Sequence, residues 1–163
     1  EMERQAQEIA SWGHNIYVKI PVTNTNGESS HELITKLCNS KIKVNITAVF
    51  TFSQVDKVIK AIGEGVGIVS IFAGRITDCG VSAEGIIKHA VKESSKYRNQ
   101  EILWASSREV FNIIQADRLG CHIITCSPDL IHKTLLFGKN LQDYSRETIF
   151  GFRKDALESG YEL

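Results

Sequence analysis

Lys19 stands between Val18 and Ile20 in the β-type run IYVKIP (16–21). An amine desolvated among apolar strand residues stays neutral more readily and can attack a carbonyl carbon. The competing reading is a strand-end lysine whose head group reaches water. Asn45 and Thr47 lie two apart in KVNITA (43–48) and share one face of a strand. Inside a barrel both need polar partners, which favours a site over plain packing. Ser70 sits in GIVSIFA (67–73) and is followed by Arg75, while EILWAS (101–106) ends in Ser106 and runs on to Ser107 and Arg108. Two arginines and a serine suit a phosphate, because a guanidinium grips two of its oxygens at once. Arginines in surface loops are the alternative. An amine, an amide, hydroxyls and two guanidiniums together are the equipment for carbonyl chemistry on an anionic substrate.

These groups need elements to position them. Apolar periodicity predicts a helix over 1–12 stopped by Gly13, a strand over 16–21 and a helix over 32–38. It then predicts a strand over 43–48, a helix over 53–63 and a strand over 67–73, with Arg75 in the following loop. A helix over 81–97, a strand over 101–106, a helix over 108–119 and a strand over 121–126 complete the series. Ser127-Pro128 reads as an N-cap and a first-turn proline, and a last amphipathic segment covers 142–158. Strands alternating with helices define an α/β chain built on a parallel sheet. No GxGxxG motif follows a strand and no P-loop occurs, so the usual nucleotide-binding signs are missing. The remaining choice is between an open sheet and part of a barrel, which takes eight strands and about 250 residues. Reactive side chains belong at the carboxyl ends of such strands, where the residues above fall.

The bulk properties are those of one globular domain of 163 residues. Lys plus Arg and Asp plus Glu balance at 19 each, which gives no case for nucleic acid or an anionic membrane as partner. No apolar run approaches the ~20 residues of a membrane helix, and Glu1 opens a charged stretch. Cys38, Cys79, Cys121 and Cys126 form no CxxC pair and read as reduced, mostly packed thiols of a cytoplasmic protein. His14, His31, His89, His122 and His132 show no metal-ligand spacing with them.

Four segments carry a resemblance to a known family. VKIPVT (18–23), KVNITAVFT (43–51), VSIFAGRITD (69–78) and WASSR (104–108) stand in the order and spacing of transaldolases. The resemblance covers nearly the whole chain. It implies a (β/α)8 TIM-barrel fold and a cofactor-free, metal-free enzyme of the non-oxidative pentose phosphate pathway. Such an enzyme moves a dihydroxyacetone unit from a ketose phosphate to an aldose phosphate through a lysine Schiff base. By resemblance, Lys19 is the imine-forming residue and Thr47 helps position the catalytic water. Asn45 and Ser70 contact the three-carbon unit, and Arg75, Ser106 and Arg108 form the phosphate-binding set. Sugar phosphates are the implied partners, and a homo-oligomer is left open. Ser107, Ile71 and Ala73 depart from the family's usual aromatic, proline and valine.

Lys19 matches the fourth strand of the family's barrel, so the chain is expected to be a single partial barrel over 1–163 with five of the eight strands. The proton-shuttling aspartate of the family lies in the earlier part, and no residue here takes its role. A fructose 6-phosphate aldolase-like lyase and a truncated non-catalytic barrel fragment are the alternatives.

Overall fold

A computed structural model describes residues 1–160. Contacts divide the chain into two compact units, Glu1–Ser127 and the part from Pro128 onward. In the first unit, α1 (Met2–Ala10) leads to β1 (Val18–Pro21), α2 (His31–Asn39), β2 (Val44–Val49) and α3 (Phe52–Ile62). Next come β3 (Gly67–Ile71), α4 (Ala73–Asp78), α5 (Glu84–Ser94), β4 (Gln100–Trp104), α6 (Phe111–Arg118) and β5 (Ile123–Ile124). The second unit contains α7 (Pro128–Lys133), a 3-10 turn over Thr134–Leu136 and α8 (Leu141–Glu158). Pro128 occupies the first position of α7, where its missing N–H costs no helix bond. Asn140 starts α8 by accepting from the backbone N–H groups of Gln142 and Asp143.

The five strands are parallel and lie in sequential order, β1-β2-β3-β4-β5. Such an order has no reversal, so successive crossovers fall on the same face of the sheet. Burial agrees with that. Val18 and Ile20, Val44 and Ile46, Val69 and Ile71, and Ile102 and Trp104 alternate along their strands and are almost wholly buried. They pack with Ile34 and Leu37 of α2, Val55, Val58, Ile59 and Ile62 of α3, and Ile86, Ile87 and Ala90 of α5. The opposite parity carries Lys19, Asn45, Thr47, Ser70, Glu101 and Leu103. One apolar face under helices and one polar-bearing face inside is the (β/α)8 arrangement, here with five strands.

Local chemistry sets the ends of the elements. Thr51 accepts from the Gln54 N–H at 3.2 Å while the Gln54 side chain takes the Thr51 N–H at 3.1 Å, a capping box that starts α3. Val55, Val58, Ile59 and Ile62 then repeat at helical spacing on the buried face. Several expectations need correction. Gly13 does not end α1, whose cap is Ser11 in right-handed conformation. The helix expected over 81–97 is confined to Glu84–Ser94, with the Glu84 N–H on the Ser82 hydroxyl at one end and the Tyr97 N–H on the Ser94 carbonyl at the other. The strand expected over 121–126 shrinks to two residues, and at its start the ring Nδ1 of His122 takes the Ile102 N–H at 3.0 Å in place of a ladder carbonyl.

Candidate functional site

At the carboxyl ends of the strands lies a recess of about 270 Å³. Its polar wall is Lys19, Asn45, Thr47, Ser70 and Ser106, supplemented by Thr125. Phe72, Leu103 and Ala105 supply the apolar part. Five side chains singled out in the sequence thus converge from β1, β2, β3 and the loop after β4.

Lys19 pairs in register with Asn45. The burial expected from its apolar neighbours in sequence is not found: Lys19 is exposed. Val18 and Ile20 point to the helix-covered face, and strand alternation sends Lys19 to the other one. It makes no hydrogen bond or ion pair with the described residues, and its side chain lines the recess beside Asn45 and Thr47. Ser70 is only 2% exposed and donates to Asn45 Oδ1 at 2.7 Å. With that oxygen occupied, the amide NH₂ of Asn45 remains available as a donor.

Thr47 shares the face of Asn45 by alternation, and an irregularity follows it. Ile46 pairs with Val69 but Val49 pairs with Ile71, so β2 carries one extra residue there. Ala48 absorbs the bulge at φ 60°. Ser106, in the recess wall, stands at φ 62°. Left-handed backbone costs a non-glycine residue about 1–2 kcal/mol, and here it occurs at Ser106 in the recess wall and at Ala48, next to Thr47 of that wall. Nothing in the sequence marks either position, since neither is glycine, asparagine or aspartate.

Ser106 is held from α4. The Gly74 N–H reaches the Ala105 carbonyl at 3.3 Å, and a Cβ on Gly74 would stand 1.5 Å from the Ser106 carbonyl oxygen. Only glycine permits that approach. The segment expected as a loop at Arg75 is therefore a short helix seated directly on the β4 loop. Neither Arg75 nor Arg108 forms part of the recess wall. Arg75 is exposed, with its guanidinium 5.1 Å from the centre of the Phe72 ring. Arg108 follows Ser106 by two residues and forms an ion pair with Asp78. Phe72 itself packs on Phe50, ring centres 5.6 Å apart.

Titration is displaced elsewhere. Burial raises the Cys38 thiol to about 11, and burial also raises Cys121, opposed by hydrogen bonds from neighbouring backbone. Cys79, in contrast, is exposed rather than packed. A second recess, of about 610 Å³, is lined by Cys38, Lys41, Lys43, Lys60 and Glu64. It lies at the amino ends of the strands, where α2 and α3 end and lysines suit the negative ends of the helices. Its size does not make it the site, because β/α chemistry sits at the other end. Among the described residues no group of three or more His, Cys, Asp or Glu is placed to hold a metal, and no helix is long and apolar enough to cross a membrane.

Sequential parallel strands with a lysine-bearing polar recess at their carboxyl ends define a class of β/α-barrel protein with the groups for imine chemistry. Residues 1–159 match the transaldolase/fructose-6-phosphate aldolase family, and the chain belongs to that family. It is 35% identical over 156 residues to a probable transaldolase of Streptococcus agalactiae serotype V, an alignment covering 95% of this chain and 67% of the relative. A probable transaldolase 2 of Listeria monocytogenes serovar 1/2a is 34% identical over 156 residues, with 95% and 66% covered. A probable transaldolase of Streptococcus pyogenes serotype M5 is 35% identical over 133 residues, with 81% and 59% covered. The chain therefore spans about two thirds of the length of the first two and less of the third.

Proposed function

We propose that this protein is a transaldolase that takes a dihydroxyacetone unit from a ketose phosphate and passes it to an aldose phosphate in the non-oxidative pentose phosphate pathway. The observation that carries the reading is the unpaired amine of Lys19 beside Asn45, Thr47, Ser70 and Ser106 in one recess. Lys19 attacks the ketose carbonyl, water leaves, and the protonated imine that forms draws electrons from the adjacent carbon–carbon bond as it breaks. The NH₂ of Asn45, oriented by Ser70, donates to hydroxyls of the bound three-carbon unit, and Thr47 holds the water that hydrolyses the imine. Ser106, Arg75 and Arg108 take the distant phosphate, and that remote binding energy fixes the reacting carbons. A general acid/base must move the protons, and no residue of this chain is assigned to it. The reaction needs no cofactor or metal, and the protein acts in the cytoplasm as a single β/α domain.

The test is release of aldose phosphate from fructose 6-phosphate with and without an aldose phosphate acceptor. Turnover that depends on the acceptor and vanishes in Lys19→Arg supports the reading. Acceptor-independent release of free dihydroxyacetone makes the protein an aldolase instead, and turnover that survives in Lys19→Arg removes the Schiff base.

A further inference from the structure

Arg108 is held by a side-on fork. Its Nε donates to both carboxylate oxygens of Asp78 at 3.1 Å, and Nη2 reaches Oδ2 at 2.5 Å. A guanidinium has five N–H groups, and this fork uses those on the Nε side. The opposite edge, made by Nη1 and the second hydrogen of Nη2, has no hydrogen-bond partner among the described residues and can grip two oxygens of another group. Asp78 stands one helical turn after Arg75 on α4, so the two side chains share a face. Arg108 arrives at that face from the β4 loop, thirty residues away in sequence.

The frame around the pair is closed. The Arg108 and Glu109 N–H groups both donate to Asn112 Oδ1, at 2.9 and 3.2 Å, and Asn112 is 6% exposed. Its own NH₂ reaches Gln115, which in turn donates to Glu84 of α5. On the other side, Gly74 locks α4 against Ala105 and Ser106. Backbone at both ends of the Asp78–Arg108 contact is thus fixed, and the carboxylate determines where the long arginine side chain points.

We propose that Asp78 is a positioning residue for sugar-phosphate capture: it presents the free edge of Arg108 beside Arg75, forming a two-arginine clamp. The proposal rests on the phosphate role given above to Arg75 and Arg108. Asp78 touches no substrate. Its negative charge works against phosphate binding and its hydrogen bonds work for it, so the two contributions separate by substitution. Asp78→Ala removes both. Asp78→Asn removes the charge and keeps an acceptor for the Nε–H.

The measurement is calorimetric binding of fructose 6-phosphate, fructose and inorganic phosphate to the whole chain and its variants, with circular dichroism to verify folding. Asp78→Ala is expected to weaken fructose 6-phosphate and phosphate by about tenfold, the loss of one well-placed charged hydrogen bond. Asp78→Asn is expected to recover most of that, and fructose to be indifferent to both. Equal or tighter phosphate binding in Asp78→Ala overturns the proposal, because the carboxylate then only competes with phosphate. Equal losses for fructose and fructose 6-phosphate, or no recovery in Asp78→Asn, also overturn it, since the role is then structural. Arg75→Ala separates the two levels. If that variant binds fructose 6-phosphate normally, the phosphate reading itself fails. If it weakens binding while Asp78→Ala does not, only the positioning role fails.

Discussion

Gly74→Ala tests how the mouth of the recess is held. A Cβ at this position falls 1.5 Å from the Ser106 carbonyl oxygen and 2.7 Å from its carbon, and both atoms are backbone. No rotamer change relieves such an overlap. Either α4 or the β4 loop must move by more than an ångström, which breaks the 3.3 Å contact from the Gly74 N–H to the Ala105 carbonyl. Overpacking of this kind costs about 1–3 kcal/mol, and a lost backbone hydrogen bond adds roughly 1 kcal/mol. Alanine returns roughly 1 kcal/mol as a better helix former than glycine, too little to compensate. The expected net loss is about 1–3 kcal/mol, a fall in Tm of roughly 3–10 °C for a chain of this size. Urea titration followed by circular dichroism reads the stability, and binding of fructose 6-phosphate reads the site. A neutral or stabilising Gly74→Ala with unchanged sugar-phosphate binding refutes the close approach and the role given to it.

Two further outcomes follow from the same contacts. Burial raises the Cys38 thiol to about 11 from an ordinary 9.0, so the unfolded chain loses this proton before the folded one does. Stability from Cys38 is present below about pH 9 and is lost as pH rises towards 11, at no more than about 1.4 kcal/mol per pH unit, and Cys38→Ala removes that slope from alkaline urea titrations. In a protein with the complete barrel, Arg75→Ala or Arg108→Ala raises KM for ketose phosphates about tenfold or more, roughly 1.5–3 kcal/mol of charged hydrogen bonding, and leaves an unphosphorylated ketose unaffected. Steady-state kinetics on both substrates checks this, and equal losses make the arginines structural.

The parts of this molecule that follow from alternation were legible in its residues. The β-type runs around Lys19, Asn45, Ser70 and Trp104 became adjacent strands in sequential order, and the polar residues spaced along them met in one recess. What escaped depends on partners distant in the chain. The bulge at Ala48 arises from a mismatch between β2 and β3, and alanine carries no turn signal. α4 has six residues, too short to show helical periodicity, and its place depends on the Gly74–Ser106 approach. β5 reads as six residues because CHIITC is β-prone throughout, yet the His122 ring replaces a backbone acceptor at its start and only Ile123 and Ile124 pair with β4. The Lys19 side chain reads as buried from its neighbours, but those neighbours face the helices while it faces the recess. Asp78 gave no sign of its contact with Arg108, since that partner lies thirty residues away.

The central claim is a covalent one, and borohydride trapping tests it most directly. The protein is incubated with fructose 6-phosphate, reduced with borohydride, digested and analysed by mass spectrometry. An imine reduced in place becomes a stable amine, so the adduct mass reports what was bound and the peptide reports where. The account predicts a single modified residue, Lys19, carrying the three-carbon unit left after cleavage or the intact ketose phosphate before it, and no adduct in Lys19→Arg. Modification at Lys43 or another lysine with Lys19 untouched contradicts it.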